Sequence, residues 1–431
     1  MLFDILVVIF TIFALNNILF HKNGIQNSIL LMVLGFIIGF RTFEPFTGIK
    51  IHPIEVIIYA SMLRIFSTKV LKYYRMPISI IITGYFFITI FVIDFFTRYN
   101  LNVLNEFKNA YLLILIFYII QYIKVDKAFL QSMLRNYLYV ATAIGFMGIV
   151  EYVNPSIITI LFDTVYNEQN FTSHSLSFNR LAFLWWGAHL AANLIPPAFP
   201  ILLYLGYERD EIIKNKIILV VILTLNLGAI YLSGNRISWL ILTVFFAYTI
   251  VIYKNYIIPY IKTSATLIVV IFVIIVYSQP VEGRYISTFK ALSGNIDARY
   301  DSSGDVRLKH INRAIKAIIE EPKGKGWASE GWLHSDLLQI TVSIGIIPSM
   351  ILFGWIISLF LRLQFTFFSI KKEKKTVLFV LCLFLIHILT SLLFNGNILL
   401  VQTGTPLFLL LAISYYYYLH NVKLMSHSEY Q

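Results

Sequence analysis

Long apolar runs, each close to 20 residues, alternate with short polar stretches from one end of this chain to the other. A bilayer core about 30 Å thick requires roughly 20 apolar residues in a helix, and only helices or closed barrels satisfy their backbone groups in lipid. We therefore predict an all-α polytopic membrane protein with about 12 to 14 transmembrane helices. Thirteen spans are expected, at residues 2–20, 25–40, 51–66, 77–96, 109–123, 136–153, 181–205, 214–232, 236–253, 257–278, 334–361, 376–394 and 398–419.

The longest polar interruption divides the chain into three parts. Residues 1–277 are predicted to form an N-terminal bundle of about ten spans. Residues 278–333 form one large loop outside the membrane, and residues 334–431 form the C-terminal spans and a tail. The composition, 58% hydrophobic with 13% charged residues, lies far from the roughly 25% charged residues of soluble proteins. A soluble fold is therefore excluded.

Lysine and arginine are distributed unequally between the two sides of the predicted membrane. Nineteen of them fall on one side, whereas the other side has six outside the large loop. Basic residues resist translocation, so the richer side is cytoplasmic and includes the C-terminal tail, while the loop at 278–333 is extracytoplasmic. The net charge of +12 follows from this topology and does not indicate a nucleic-acid partner.

Two polar residues are predicted at the extracytoplasmic boundary of the membrane. Arg236 ends a tight turn between two spans, and His334 begins the span after the large loop. A boundary arginine either snorkels toward lipid headgroups or binds an anion. A histidine there either is structural or exchanges a proton as a general base, since imidazole titrates near neutrality. Position alone does not decide between the structural and the functional role of either residue.

The large loop contains a stretch, residues 306–321, that has the pattern of an amphipathic helix. Asp305 is the expected N-cap and Pro322 the expected stop. Arg307 falls on the apolar side, where an unpaired cation is costly, so it should meet either a carboxylate or a ligand phosphate. Five apolar residues share that side: Leu308, Ile311, Ile315, Ile318 and Ile319. Four polar residues share the other: Lys309, Arg313, Lys316 and Glu320.

Several of these segments resemble elements of the O-antigen ligase and polymerase superfamily. Residues 236–240 (RISWL) resemble its R-x-x-x-L element, and residues 334–338 (HSDLL) resemble its H-[NS]-x-x-L element. Between them, residues 303–326 (SGDVRLKHINRAIKAIIEEPKGKG) resemble the run of arginine, helix and glycine turn that precedes the histidine. Residues 178–182 (FNRLA) resemble a weaker element in an earlier loop. The glycine turn is one residue shorter than the usual form.

The resemblance implies a metal-independent glycosyltransferase of GT-C-like architecture that needs no cofactor and acts on undecaprenyl-diphosphate-linked oligosaccharides. It implies a bacterial inner-membrane protein with its active face in the periplasm and with membrane lipid around it. Arg236 and Arg307 would hold the leaving diphosphate, because guanidinium binds phosphate oxygens in pairs. His334 would accept the proton of the acceptor hydroxyl. Further substrate contacts are expected from Arg180, Arg313 and Asp336.

The resemblance is shared by enzymes with two different reactions. A polymerase adds lipid-linked repeat units to a growing glycan, with a chain-length regulator as a candidate partner, whereas a ligase transfers the glycan to a lipid A core sugar. We favour a polymerase, because the matching elements are short and stand in divergent sequence. A flippase for lipid-linked oligosaccharides is the alternative from another class, and it calls for charged residues deep in the spans or for internal repeats.

Overall fold

The structure is a computed structural model, and it describes most of the chain. The described residues are 2–36, 43–46, 49–68, 70–98, 101–153, 194–208, 210, 214–233, 237–252, 302–327, 329–330, 333, 335–369, 372–394 and 401–420.

Fourteen α-helices form nearly all of this described part. In chain order they are α1 (Leu2–Phe20), α2 (Gly24–Gly35), α3 (Pro53–Ser67), α4 (Ile78–Arg98), α5 (Leu101–Ile120), α6 (Lys127–Val153), α7 (Ala198–Tyr207), α8 (Lys216–Ser233), α9 (Ile237–Ile252), α10 (Ser302–Glu320), α11 (Asp336–Ile344), α12 (Ile346–Ser369), α13 (Lys372–Phe394) and α14 (Val401–Tyr418).

The helices have the length and surface of membrane spans. Six of those described, α4, α5, α6, α8, α12 and α13, are long and apolar enough to cross a bilayer. Shorter apolar helices are formed by α1, α2, α7 and α9. Large apolar side chains point outward, such as Ile12, Tyr85 and Val251 with 61%, 68% and 73% of their surface exposed. Soluble proteins rarely expose apolar surface on this scale, so the chain is a polytopic membrane protein.

The described part of the chain is almost entirely helical, in agreement with the predicted all-α fold, and a small β-hairpin is added to it. Strands β1 (Phe43–Phe46) and β2 (Ile49–Ile51) pair in antiparallel register, with Phe43 opposite Ile51. They occupy the predicted connection between the second and third spans. Strands of four and three residues alternate over too few positions for a period of two to be recognised.

Polar residues extend α5 beyond its predicted start. The helix begins at Leu101, whereas the apolar run predicted a start at residue 109. Lys108, in the added part, lies 3.0 Å from the Glu55 carboxylate at the start of α3. The backbone N–H of His52 donates to the same carboxylate at 3.1 Å. Because this buried ion pair is satisfied inside the protein, the helix continues through residues that an apolar pattern alone excludes.

Contacts at the opposite end of the bundle involve residues from the side rich in lysine and arginine. The Arg64 guanidinium donates to the backbone carbonyl of Ile18 at 2.6 Å, where α1 approaches its end. Arg135 of α6 pairs with the buried Asp210 just after α7, at 2.5 Å. The basic residues that the charge count assigns to one side thus fix helix ends to each other.

The predicted span at 334–361 is two helices. Gly345 interrupts it with a φ of 91° and separates α11 from α12. A left-handed backbone ends a helix and favours glycine, because a Cβ there collides with backbone atoms. The 24 residues of α12 form the membrane span, and α11 lies before it, packed against α10, α12 and α13.

Candidate functional site

The glycine turn after α10 fits into the break between α11 and α12. The backbone N–H groups of Lys325 and Gly326 donate to the carbonyls of Val342 and Ser343 at 2.8 and 3.1 Å. Gly324 has a φ of 99°, and a Cβ on it would lie 2.7 Å from the nitrogen of Gly345. The two segments therefore approach each other at backbone distance, which only glycine permits.

A buried carboxylate on α4 holds the end of this turn. Asp94 is 5% exposed, and it accepts a hydrogen bond of 2.5 Å from the backbone N–H of Trp327. The Trp327 ring is fully buried and packs edge-on against Phe87 and Phe107, with centroids 5.2 and 6.2 Å away. A hydrogen bond to a charged acceptor in a buried setting is strong, so α4 and α5 fix the path of the chain that leads to residue 334.

Both neighbours of His334 in the chain are held by hydrogen bonds. The Leu333 N–H donates to the side-chain carbonyl of Gln339 at 2.9 Å, and the Gln339 amide donates to Glu106 of α5 at 2.9 Å. On the other side, the Ser335 hydroxyl caps α11 and also donates to the Leu392 carbonyl of α13 at 3.4 Å. His334 itself lies outside the described residues.

The helix that follows Arg236 points to the same end of α13. Phe245 contacts His387, and Tyr248, almost one turn later in α9, stacks on Phe379, two turns earlier in α13. The two helices are therefore antiparallel, and the start of α9 lies toward the C-terminal end of α13, where Ser335 is bound. Arg236 directly precedes α9 and lies outside the described residues, as does Arg180.

Helix α10 forms as predicted with its polar face exposed, but most of its bulky apolar residues do not face the protein. It begins at Ser302, so Asp305 lies in its first turn and is not the N-cap. Ala314 and Ala317 are buried against Leu333 and Val342, because their small side chains allow α10 to approach α11 closely. Four bulky residues, Leu308, Ile311, Ile315 and Ile319, are exposed, whereas Ile318 is half-buried against the protein. Arg307 belongs to α10, and its side chain lies outside what the structure describes.

Two of the predicted substrate contacts have described positions. Asp336 is 2% exposed in the first turn of α11. Arg313 lies on α10 and binds Glu330, with its Nε 3.5 Å from the carboxylate and its Nη2 2.6 Å from the backbone carbonyl. This bond gives Arg313 a structural task, which is to tie α10 to the segment before residue 334. Its predicted contact with substrate stays a prediction.

Charged groups around α10 influence one another. The Lys325 ammonium lies 3.1 Å from both Glu320 and Glu330, and these hydrogen bonds raise the pKa of Lys325. His310, one turn before Ala314, has a lowered pKa, first because burial disfavours its charged form and then because Arg313 repels it. Among the described residues, no three His, Cys, Asp or Glu side chains lie together as a metal site. This finding does not test the predicted metal-independent chemistry, which stays a prediction.

Four buried hydroxyls in α9, α11, α13 and α14 have no hydrogen-bond partner within the described part of the chain. They are Ser238 at the start of α9, Ser343 at the end of α11, Ser391 near the end of α13 and Thr405 near the start of α14. Buried polar groups are normally satisfied, so a group of exceptions asks for an explanation. Hydroxyls of this kind are suited to hydrogen bonding with a polar ligand.

Sequence reasoning missed the residues that position the turn. Asp94 had a signal, because a carboxylate inside the predicted span at 77–96 is costly and marks a specific partner. Glu106 and Gln339 had no such signal in the sequence, because their hydrogen bond forms only between segments that lie far apart along the chain. Comparison of the sequence with protein-family models and with curated proteins found no match.

Proposed function

We propose that this protein is a bacterial inner-membrane glycosyltransferase of the O-antigen polymerase type. It joins undecaprenyl-diphosphate-linked oligosaccharide repeat units into a surface polysaccharide at the periplasmic face and releases undecaprenyl diphosphate. The proposal includes about 12 to 14 spans, with residues 278–333 in the periplasm. The substrate's lipid tail lies among the spans, and a chain-length regulator is a candidate partner.

One observation carries the proposal. The hydrogen bond from Ser335, the residue after His334, and the antiparallel packing of α9 both lead to the C-terminal end of α13. The two motifs that resemble the superfamily are far apart in sequence, yet the described residues beside each motif converge on this place. Ser238 and Ser391 are buried in α9 and α13, and their hydroxyls have no hydrogen-bond partner among the described residues, which supports a polar ligand at this end.

The proposed reaction requires a base and a site for the leaving group. The acceptor hydroxyl attacks the anomeric carbon of the donor, His334 takes the hydroxyl proton, and the bond between that carbon and the diphosphate oxygen breaks. Arg236 and Arg307 stabilise the negative charge that develops on the diphosphate. Arg180, Arg313 and Asp336 make further substrate contacts. No step requires a metal or another cofactor.

Complementation of a deletion strain tests this function. His334→Ala and Arg236→Ala should each abolish the ladder of polymerised glycan while the protein remains at wild-type level in the membrane. Arg362→Ala is the matched control, because this arginine is exposed on α12 toward the opposite end of the bundle. A normal ladder in either site variant would contradict the assignment.

The deletion strain itself distinguishes the alternatives. A polymerase deletion leaves a single repeat unit on the lipopolysaccharide core, whereas a ligase deletion leaves no transferred glycan. A flippase deletion leaves lipid-linked repeats on the cytoplasmic face. Either of the last two results would replace the proposal with the corresponding function.

A further inference from the structure

Helix α10 carries an apolar stripe on the face that points away from the protein. The stripe consists of Leu308, Ile311, Ile315 and Ile319, whose exposed fractions are 57%, 38%, 45% and 72%. Their spacing of three, four and four residues places them in one line along the helix. The alanines at 314 and 317 face the protein instead. A contiguous exposed stripe of this length marks a contact surface.

The end of α10 is fixed at the level where a membrane span begins. The N–H of Ile346, the first residue of α12, donates to the carbonyl of Pro322 at 3.0 Å. In the first turns of that span, Ile347 and Met350 are 70% and 68% exposed, as expected of side chains that face lipid. Ile319 is three residues before Pro322, so the C-terminal end of the stripe lies at the level where this span begins.

Lysines border the stripe on the side that is not covered by protein. At about 100° per residue, Lys309 and Lys316 both project about 80 to 100° from Leu308. The side chain of Lys316 is 79% exposed. Long basic side chains beside an apolar stripe are typical of helices that lie in the membrane interface, where the ammonium reaches lipid phosphates.

The composition of the stripe favours lipid over a protein partner. It contains leucine and isoleucine and no aromatic residue, whereas protein interfaces concentrate their binding energy in tryptophan, tyrosine and arginine. The end of α10 also contacts the start of α12, a helix long and apolar enough to cross a bilayer, so lipid is expected beside it. A protein would have to displace lipid from the same boundary.

We propose that α10 is an interfacial helix whose apolar stripe inserts into the adjacent lipid leaflet while Lys309 and Lys316 contact phospholipid phosphates. The helix thereby holds the glycine turn and the segment before residue 334 at a fixed depth. This inference rests on the membrane character of the chain and on the contacts of α10, and it does not require glycosyl transfer.

Spin-label depth measurements on the full chain test this placement. Ile315→Cys and Ile319→Cys are labelled in vesicles of phosphatidylethanolamine and phosphatidylglycerol, with Glu320→Cys as the matched control, because Glu320 adjoins Ile319 and its side chain is 48% exposed on the polar face. The only native cysteine, Cys382, is fully buried, so the wild-type chain is the labelling blank. The isoleucine positions should be more accessible to oxygen than to a nickel chelate and lie about 5 to 10 Å into the interface. The control should remain in water.

Other outcomes would overturn the proposal. Equal exposure of all three labels to the nickel chelate would place the stripe in water. Shielding of the isoleucine positions from both reagents would mean that a protein or a second copy of the chain covers the stripe. The lysine contacts have their own test: with Lys309→Glu and Lys316→Glu, the label at position 319 should become shallower when phosphatidylglycerol is present. An unchanged depth would refute the role of the lysines.

Discussion

Replacing Gly326 with alanine should detach the glycine turn from α4. A Cβ at this position would lie 2.1 Å from one carboxylate oxygen of Asp94 and 2.2 Å from the other, so one of the two residues must move. The glycine also has a φ of 89°, and a left-handed backbone costs an L-residue about 1 to 2 kcal/mol. Movement of Asp94 breaks its bond with the Trp327 N–H, which contributes about 1.5 to 3 kcal/mol as a bond to a charged group.

The expected destabilisation of the turn is therefore about 2.5 to 5 kcal/mol. Hydrogen exchange is the direct assay, because the Trp327 amide should lose its protection locally. The thiol of Cys382 reports global unfolding, because it is buried and becomes reactive toward a fluorescent reagent only when the bundle opens. If the turn unfolds with the bundle, the melting temperature should fall by a few degrees.

Gly354→Ala is the matched control. This glycine lies within α12, and a Cβ on it would meet no atom within 4 Å. Alanine there should be neutral or stabilising by up to about 1 kcal/mol, through helix propensity. In the double variant of Gly326→Ala with Asp94→Ala, the collision is relieved. The double variant should therefore be destabilised by less than the sum of the two single variants. Wild-type exchange at residues 321–327 in Gly326→Ala would refute the reasoning.

Two further changes act on the same region. Gln339→Leu removes the link between the Leu333 N–H and Glu106. It should destabilise the segment by about 1 to 3 kcal/mol, because a buried donor loses its acceptor. Unchanged hydrogen exchange at the Leu333 amide would contradict this. His310 has a pKa lowered from 6.5 by burial and by Arg313. The unfolded state therefore binds more protons than the folded state. The contribution of neutral His310 to stability is fully present above pH 6.5 and is lost as pH falls toward and through the folded pKa. His310→Gln should remove this acid sensitivity of α10, as measured by hydrogen exchange between pH 5 and 7.5, and an unaltered pH profile would refute it.

The membrane character and most helices could be predicted from the sequence, because apolar length alone determines them. Residues 2–20 match α1 as predicted, and α8 begins at Lys216, within two residues of its predicted start. The differences between predicted and observed helix bounds arise where polar side chains find partners far away in the sequence. Lys108 and Glu106 lie in α5 because Glu55 and Gln339 satisfy them, and those pairs are separated by 53 and 233 residues. No local pattern contains such a pairing.

The outward-facing apolar stripe of α10 shows the same limit in a different form. A helical wheel separates apolar from polar residues, and in a soluble protein the apolar side faces the core. Beside a membrane there are two apolar surroundings, the protein and the lipid, and the wheel does not say which of them receives the stripe. Here the small residues Ala314 and Ala317 meet the protein because close backbone approach favours them, as it does between helices in membranes. Four of the five large apolar residues face the second surrounding, and Ile318 packs against the protein. A helical wheel therefore assigns each face to its surroundings only when the size of each side chain is considered together with its polarity.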